Sequence, residues 1–172
     1  MFEDEAGISN TATVSYKWGE KGKQPLIEQQ QKRRERKTLI GCVNPRTGQV
    51  FKHIANRGNT RSFFQFLLLV SLSHPGQKIY MVLDNARYHH AKRVKPILER
   101  FSHRIELVFL PAYSPDLNPM ERIWWYMRKK ITHNRGIKSL DERIADLDNL
   151  FLQFEQPNII CKNLCNLNVN LY

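Results

Sequence analysis

Three carboxylates stand where the expected strands and helices of this chain would bring them together. Asp4 lies in the first expected strand, Asp84 directly follows a strongly apolar segment, and Glu121 lies in the first turn of an expected helix. Because strand ends and helix starts on one rim of a sheet converge, we expect the three side chains to share a cleft. Acids in one cleft repel each other unless a cation binds there, and their oxygen ligands suit Mg²⁺ or Mn²⁺. Two such ions, about 3.5–4 Å apart, would serve phosphoryl transfer, so the sequence predicts a nuclease-type site.

Each acid also has a purely structural interpretation. Asp4 is explained as an exposed charge near the N-terminus, and Asp84 as the start of an Asx-turn after its strand. Glu121 is explained as the third residue of a helix capped by Asn118. Asp116, which follows a Ser-Pro pair, is most simply a turn residue. Taken singly, each acid would be judged structural, so the catalytic interpretation depends on the sequence around them.

The spacing of apolar residues predicts alternating strands and helices. Strands are expected over 2–8, 13–18, 38–43, 49–54, 79–83 and 105–110, and the third and fourth form an antiparallel hairpin. The strand over 79–83 is continuously apolar, as in strands that are buried on both faces. Helices are expected over 63–72 behind a cap at Asn59 or Thr60, from about 91 to 101 with Pro96 kinking it or in its first turn, from Asn118, and from a capping box at Ser139 and Glu142.

The charge distribution indicates a polyanionic partner. The 172 residues include 27 Lys plus Arg against 16 Asp plus Glu, which gives a formal net charge of +11. The excess is concentrated at 17–37, between Asp4 and Asp84, and at 122–138, directly after Glu121. Neutralising phosphates releases condensed counterions, which favours nucleic acid as the partner. A solvated basic surface is the alternative interpretation.

Length and composition limit the class of protein. A chain of this size is expected to form one domain with a real core. The most apolar run, 63–72, contains Gln65 and is too short for a membrane span of ~20 residues, and the acidic start does not fit a signal peptide. Cys42, Cys161 and Cys165 cannot all pair, and we expect free thiols, with the last two buried rather than zinc-bound. We therefore expect an intracellular protein, cytoplasmic or nucleoid-associated, without a membrane partner.

Four stretches of the sequence resemble a known family. They are FEDEAG at 2–7, YKWGEKGKQP at 16–25, LDNARYHHA at 83–91 and LPAYSPDLNPMERIWW at 110–125. In this order they resemble the catalytic domain of insertion-sequence transposases related to mariner, in the DDE superfamily. The resemblance covers roughly residues 2 to 150, and YSPDLNPMERIW is highly specific. The spacing from Asp84 to Glu121 is also close to that between the second and third acids of this superfamily.

The resemblance implies an α/β, ribonuclease H-like fold. Its sheet would be mixed and five-stranded, with the first three strands antiparallel and helices on both faces. Asp4, Asp84 and Glu121 match the first, second and third catalytic positions, which hold Mg²⁺ or Mn²⁺, as two ions. Such enzymes hydrolyse DNA at transposon ends and direct the freed 3′-hydroxyl against a target phosphodiester, typically at TA dinucleotides.

Further positions carry weaker expectations. Asn85 and His89 match the family's Asp-Asn and following His, so we expect them to line the site or contact phosphate, unless they are a capped turn and a packed surface histidine. Asn118 is interpreted as the cap that orients Glu121. Trp124 and Trp125 are interpreted as core and rim aromatics. The candidate DNA contacts are a basic hairpin with Lys17, Trp18, Lys21 and Lys23, and the helical cations Arg122, Arg128, Lys129 and Lys130.

The family usually carries helix-turn-helix modules before the catalytic domain, and here three residues precede Asp4. We therefore expect a catalytic domain over 1–155 without that region, and an unassigned tail over 156–172. The hypothesis is the second part of a split reading frame, or a remnant of a decayed element. Expected partners are DNA, an upstream helix-turn-helix part and a second copy of the chain. The alternative functions are a non-catalytic DNA-binding fragment and a stand-alone ribonuclease H-like nuclease.

Overall fold

A mixed five-stranded sheet organises the chain. The computed structural model describes residues 1–11, 13–16, 18–23, 26, 34–86, 88–90, 95–136 and 138–166. The strands are β1 (Phe2–Ser9), β2 (Arg36–Val43), β3 (Val50–Ala55), β4 (Ile79–Leu83) and β5 (Ile105–Phe109), in the spatial order β3-β2-β1-β4-β5. The first three strands pair antiparallel, whereas β4 pairs parallel with both β1 and β5. The predicted mixed sheet and the hairpin of β2 and β3 are therefore confirmed.

Helices cover both faces of this sheet, as predicted. They are α1 (Thr60–Leu72), α2 (Lys95–Phe101), α3 (Met120–Ile131), α4 (Leu140–Leu152) and α5 (Ile159–Cys165), with a 3-10 turn at Pro115–Leu117. One apolar core joins α1 to one face, and a second joins α3, α4 and α5 to the other. None of the helices in the described ranges combines the length and apolar character needed to cross a bilayer.

The caps of α1 and α4 follow from local sequence. The Asn59 side chain accepts hydrogen bonds from the amides of Arg61 and Ser62, which would otherwise lack partners in the first turn. At α4, the Ser139 hydroxyl accepts from the amide of Glu142, whose carboxylate accepts from the Ser139 amide. Both predicted caps are confirmed, and Pro96 lies in the first turn of α2.

Among the described residues of the segment 13–18, namely 13–16 and 18, the expected strand is not formed. Thr13 makes an isolated bridge to His133, and the Ser15 amide donates to the Asn134 side chain. Val14 is 75% exposed, so alternation along this segment buries no face of a sheet. Without a buried face, nothing specifies strand register, and the prediction was wrong for this reason.

Strand β4 is buried on one face only, in contrast to the prediction. Ile79, Met81 and Leu83 are buried against α1, whereas Tyr80 is 53% exposed. Helices α3, α4 and α5 cover the part of the opposite face formed by β1, β2 and β3. A continuous apolar run therefore did not require a cover on both sides here.

The tail left unassigned from sequence contains α5. The Asn158 side chain caps this helix by accepting from the amides of Ile160 and Cys161. Its first turn lies against the hairpin turn at Gly48, where a Cβ would meet backbone atoms of Asn158. Cys161 and Cys165 are buried free thiols, as predicted, and Cys42 is also free and buried.

Candidate active site

The three predicted acids line one cleft. Asp4 from β1, Asp84 from the end of β4 and Glu121 from the first turn of α3 border an open space of about 460 Å³. Its wall is completed by the loop after β5 and by two side-chain amides; these wall residues are 110–115, Asn85 and Asn118. Three elements distant in sequence therefore bring three carboxylates to one rim of the sheet.

The pleat of β1 determines which acids enter the cleft. Asp4 shares its face with Ala6 and Ile8, which pack against the helices on that side. The residue paired with Asp4 on β2 is Gly41. A Cβ at Gly41 would lie 2.8 Å from side-chain atoms of Met120 and Trp124, so the missing side chain lets α3 approach the sheet. This approach brings Glu121 over Asp4.

Asn118 connects β1 to the start of α3. Its amide donates to the backbone carbonyl of Glu3 at 2.7 Å, and its side-chain oxygen accepts from the Met120 amide at 3.1 Å. Its backbone carbonyl accepts from the Glu121 amide at 3.2 Å. The helix begins one residue later than predicted, with Pro119 at the cap position and no side-chain cap. The prediction missed that the Asn118 amide is committed to a tertiary bond with β1.

Asp84 forms the Asx-turn that its structural interpretation predicts, and it also borders the cleft. Its carboxylate accepts from the Ala86 amide at 2.8 Å, an Asx-turn, while its side chain is 56% exposed. The neighbouring Asn85 amide donates to the carbonyl of Leu110 at 2.7 Å, which joins the loops after β4 and β5. The turn therefore holds Asp84 at the rim with its carboxylate accessible.

Burial and mutual repulsion disfavour the charged forms of the acids in the cleft. Burial, followed by the charge of Glu121, raises the pKa of Asp4 to about 8, and Asp84 contributes in the same direction. Burial disfavours a carboxylate because solvation is lost, and like charges disfavour it by repulsion. A cation bound among these oxygens would reverse both effects.

His89 lies behind the cleft and is not a surface residue. Its side chain is fully buried between the rings of Phe63 and Tyr88, with centroids at 4.5 and 4.3 Å. Its Nδ1 lies 3.3 Å from the backbone oxygen of Asp84, and its Nε2 lies 3.4 Å from Glu5 Oε1. The histidine thus contacts the turn that carries Asp84 from the opposite side of the sheet.

Sequence reasoning missed Glu3 and Glu5 as partners of His89. The signal was present, since both flank Asp4 in a strand and therefore point to the face opposite to it. The exposed Tyr113, at the rim of the cleft, was also not singled out; its φ is 57°.

The helical cations predicted to contact DNA differ in their surroundings. Lys129 lies over the ring of the half-exposed Trp125, with its Nζ 5.0 Å from the centroid, and Lys130 lies over Tyr126. Arg122 instead donates to the carbonyls of Leu164 and Asn166, which fastens the end of α5. Arg128 is half-buried, and Trp124 is fully buried, so the core and rim interpretation of Trp124 and Trp125 is confirmed.

The proposed basic hairpin is described only in part. Trp18 is 98% exposed and Lys21 is exposed, while Lys23 pairs with Glu20 at 2.6 Å. Lys17 lies outside the described residues. The structure therefore places Trp18 and Lys21 in solvent, away from the core elements.

Comparisons with known proteins agree with the fold. The family model for the DDE superfamily endonuclease matches residues 1–144. An uncharacterised protein of Sinorhizobium fredii is 30% identical over 108 residues, covering 62% of this chain and 76% of that protein. The insertion element IS630 protein of Shigella sonnei is 24% identical over 141 residues, covering 81% of this chain and 40% of that protein.

Solved structures show the same fold. The Mos1 transposase paired-end complex with left transposon end has a TM-score of 0.69 at 19% identity, covering 95% of this chain and 50% of that chain. The Mos1 mariner paired-end complex with Mn has a TM-score of 0.68 at 19% identity, again covering 95% and 50%. The chain thus spans half the length of these Mos1 chains.

Proposed function

The chain belongs to the DDE superfamily of endonucleases, and on this premise we propose that it is a transposase catalytic domain whose catalytic residues are Asp4, Asp84 and Glu121. The proposed reaction is metal-dependent cleavage of DNA strands at transposon ends, followed by transfer of the 3′-hydroxyl into target DNA. The observation that carries the proposal is the convergence of these three carboxylates, from three separate elements, in one open cleft.

Divalent cations fit the residues of this cleft. Without a cation, burial and the neighbouring Glu121 raise the pKa of Asp4 to about 8, so the acids cannot all ionise easily. Asp4, Asp84 and Glu121 would hold Mg²⁺ or Mn²⁺, in our proposal two ions. Such ions lower the pKa of a bound water and stabilise charge on the leaving oxygen of a phosphodiester.

The residues around the acids position the reacting DNA. Asn118 orients Glu121 against β1, and Asn85 fastens the loop that forms the opposite wall. On the outer surface of α3, Lys129 with Trp125 lies eight residues from Glu121, roughly 12 Å along the helix. We propose that these residues, together with Lys130, bind the DNA backbone and lead a phosphodiester into the cleft.

The whole reaction requires parts outside this chain. We propose residues 1–155 as the catalytic domain and 156–172 as a C-terminal tail, of which the described helix α5 packs against that domain. Because the chain spans 40% of the IS630 protein, we further propose that a helix-turn-helix part recognises the transposon ends and that a second copy joins the DNA complex. A DNA substrate implies an intracellular, nucleoid-associated location.

The test is the substitution Asp84→Asn with cleavage of plasmid DNA in Mg²⁺ as the readout. We expect cleavage to be abolished while the thermal melt stays cooperative, because the amide keeps the turn but loses the metal ligand. The matched control is Asp116→Asn, an exposed acid beside the cleft, which should retain cleavage.

Residual cleavage above about one percent in Asp84→Asn would contradict the assignment, since the metal is expected to supply several kcal/mol. A parent chain that binds DNA in a salt-sensitive way, equally with Asp84→Ala and without Mg²⁺-dependent cleavage, would favour the non-catalytic fragment. Selective cleavage of RNA in RNA–DNA hybrids would favour the stand-alone nuclease.

A further inference from the structure

A second group of ionisable side chains lies on the face of β1 opposite to Asp4. It consists of Glu3, Glu5 and His89, and we call it the rear cluster. The side chains of Glu3 and His89 are fully buried, and that of Glu5 is 19% exposed. Asp4 and Glu121 belong to the cleft on the other side of the sheet, and Asp84, whose carboxylate lies 3.5 Å from His89 Nδ1, stands between the two groups.

The polar atoms of the rear cluster lack hydrogen-bond partners among the described residues. These atoms are both carboxylate oxygens of Glu3, Oε1 of Glu5 and Nε2 of His89. The His89 Nε2 lies 3.9 Å from Glu3 Oε2 and 3.4 Å from Glu5 Oε1, longer than hydrogen bonds of 2.7–3.2 Å. Buried carboxylates are unfavourable as unpaired charges, so these side chains need either bound protons or a cation between them.

The separations agree with ligands around one metal ion. One ligand atom from each of the three residues can be chosen so that all lie within 4.8 Å of one another. Ligands at about 2.0–2.1 Å in a tetrahedral site are separated from each other by about 3.3 Å. The measured 3.4 Å between His89 Nε2 and Glu5 Oε1 is close to this spacing.

The other ring nitrogen supports the same interpretation. His89 Nδ1 faces the backbone carbonyl oxygen of Asp84 at 3.3 Å, an arrangement that favours the proton on Nδ1. A proton on Nδ1 leaves the Nε2 lone pair directed at two carboxylates. Histidine ligands in metal sites are commonly oriented by this kind of bond from the second nitrogen to a carbonyl.

We propose that Glu3, Glu5 and His89 bind one divalent transition-metal ion of the zinc class. An imidazole ligand favours Zn²⁺ over Mg²⁺, which prefers oxygen ligands and retains waters. Since His89 also contacts Asp84, the ion stabilises the turn at the end of β4. The proposal is argued from the geometry of the rear cluster and does not depend on the proposed catalysis, although His89 contacts the Asp84 carboxylate at 3.5 Å.

The test measures Zn²⁺ bound per chain after dialysis of the purified full chain in excess Mg²⁺, which occupies the catalytic acids. We expect one Zn²⁺ per chain in the parent and in the double variant Asp4→Asn with Glu121→Gln. Glu3→Gln and His89→Gln should lower Zn²⁺ affinity by at least about 100-fold, because even indirect partners of metal ligands contribute 10–100-fold. Glu5→Gln changes the rear-cluster side chain that is 19% exposed, and it provides the same test if Glu3→Gln and His89→Gln fail to fold.

A thiol control removes the two cysteines of α5 as an alternative Zn²⁺ site. The variant Cys161→Ser with Cys165→Ser should keep its Zn²⁺ and the rise in melting temperature that Zn²⁺ produces. Three results would overturn the proposal: no Zn²⁺ on the folded parent, Zn²⁺ lost with the catalytic acids, or Zn²⁺ retained by the rear-cluster variants. The last two outcomes leave the proposed cleavage reaction unaffected, so the two proposals fail separately.

Discussion

The two faces of β1 place neighbouring carboxylates in opposite environments. On one face, Asp4 borders an open cleft with Asp84 and Glu121, where solvent and a DNA strand have access. On the other face, Glu3 and Glu5 are enclosed beneath α1 with His89. The only local difference is the alternation of the strand, which points adjacent side chains in opposite directions. Adjacent residues of one type therefore acquire different chemistry from the layers that cover them.

The open cleft and the enclosed rear cluster also differ in how the repulsion between their acids can be relieved. In the cleft, exchangeable ions from solvent can bind, so the site suits a catalytic cation that arrives with substrate. In the rear cluster, enclosed side chains require a resident cation or bound protons. The raised pKa values of Asp4 and Glu3 have the same first cause, burial, but only the cleft is open to relief by solvent ions.

The largest expected effect comes from a variant that changes the cleft and leaves the rear cluster as it is. Glu121→Gln should reduce Mg²⁺-dependent cleavage on the order of 10³-fold, because losing a charged metal ligand removes about 4 kcal/mol of transition-state stabilisation. Single-turnover cleavage of plasmid DNA measures it. Asp141→Asn, another acid in the first turn of a helix, is the control and should cleave normally. Activity above about a tenth in Glu121→Gln would show that the cleft does not need its third acid.

The next effect concerns stability and pH in the presence of a chelator. The folded-state pKa of Asp4, about 8, exceeds the ordinary value of 3.8, so the folded state binds more protons between these values. Stability therefore falls as the pH rises through this window, by up to about a few kcal/mol from this group. Asp4→Asn should match the parent near pH 4 and exceed it increasingly towards pH 8, as measured by melting temperature. A constant difference across this range would refute the raised pKa.

A smaller effect tests how α3 is placed on the face of Asp4. Gly41→Ala should cost about 1–3 kcal/mol of unfolding free energy, because its Cβ would overlap the packing of Met120 and Trp124. Denaturant unfolding measures the loss, and cleavage should fall with it while Zn²⁺ binding at the rear cluster persists. The control is Gly58→Ala. Gly58 is exposed, and its added Cβ would lie 3.3 Å from the Thr38 side chain, so stability should change little. An unfolding free energy that Gly41→Ala leaves unchanged would mean that α3 packs less closely against β2 at this position.

The smallest effect asks whether DNA approaches the cleft along α3. Lys129→Ala should weaken DNA binding a few-fold and reduce the salt dependence by about one phosphate contact. Fluorescence anisotropy over a series of salt concentrations measures both. Lys78→Ala is the control, since Lys78 precedes β4 at the end away from the cleft and pairs with Glu106 at 2.6 Å. Equal losses in both variants would indicate binding by general charge.

Much of the fold was predicted correctly from local sequence patterns. The hairpin of β2 and β3 and the caps at Asn59 and Ser139 depend on residues close in sequence, so they were predicted correctly. The failures depend on distant contacts. Residues 13–18 alternate without a sheet to cover them, and the Asn118 amide bonds to β1 as well as to its own helix. The missed α5 packs against the turn at Gly48, a contact that its own composition does not indicate.

The sequence by itself determined the order of the five strands and of the helices α1 to α4, and the positions of Asp4, Asp84 and Glu121 along the chain, because periodicity and capping act locally. Only the tertiary structure decided that these acids meet in an open cleft and that His89 lies behind it against Glu3 and Glu5. Burial and charge repulsion depend on what covers a side chain, and here the cover comes from residues far away in sequence. The same alternation of β1 therefore produced a solvent-accessible site on one face and an enclosed one on the other.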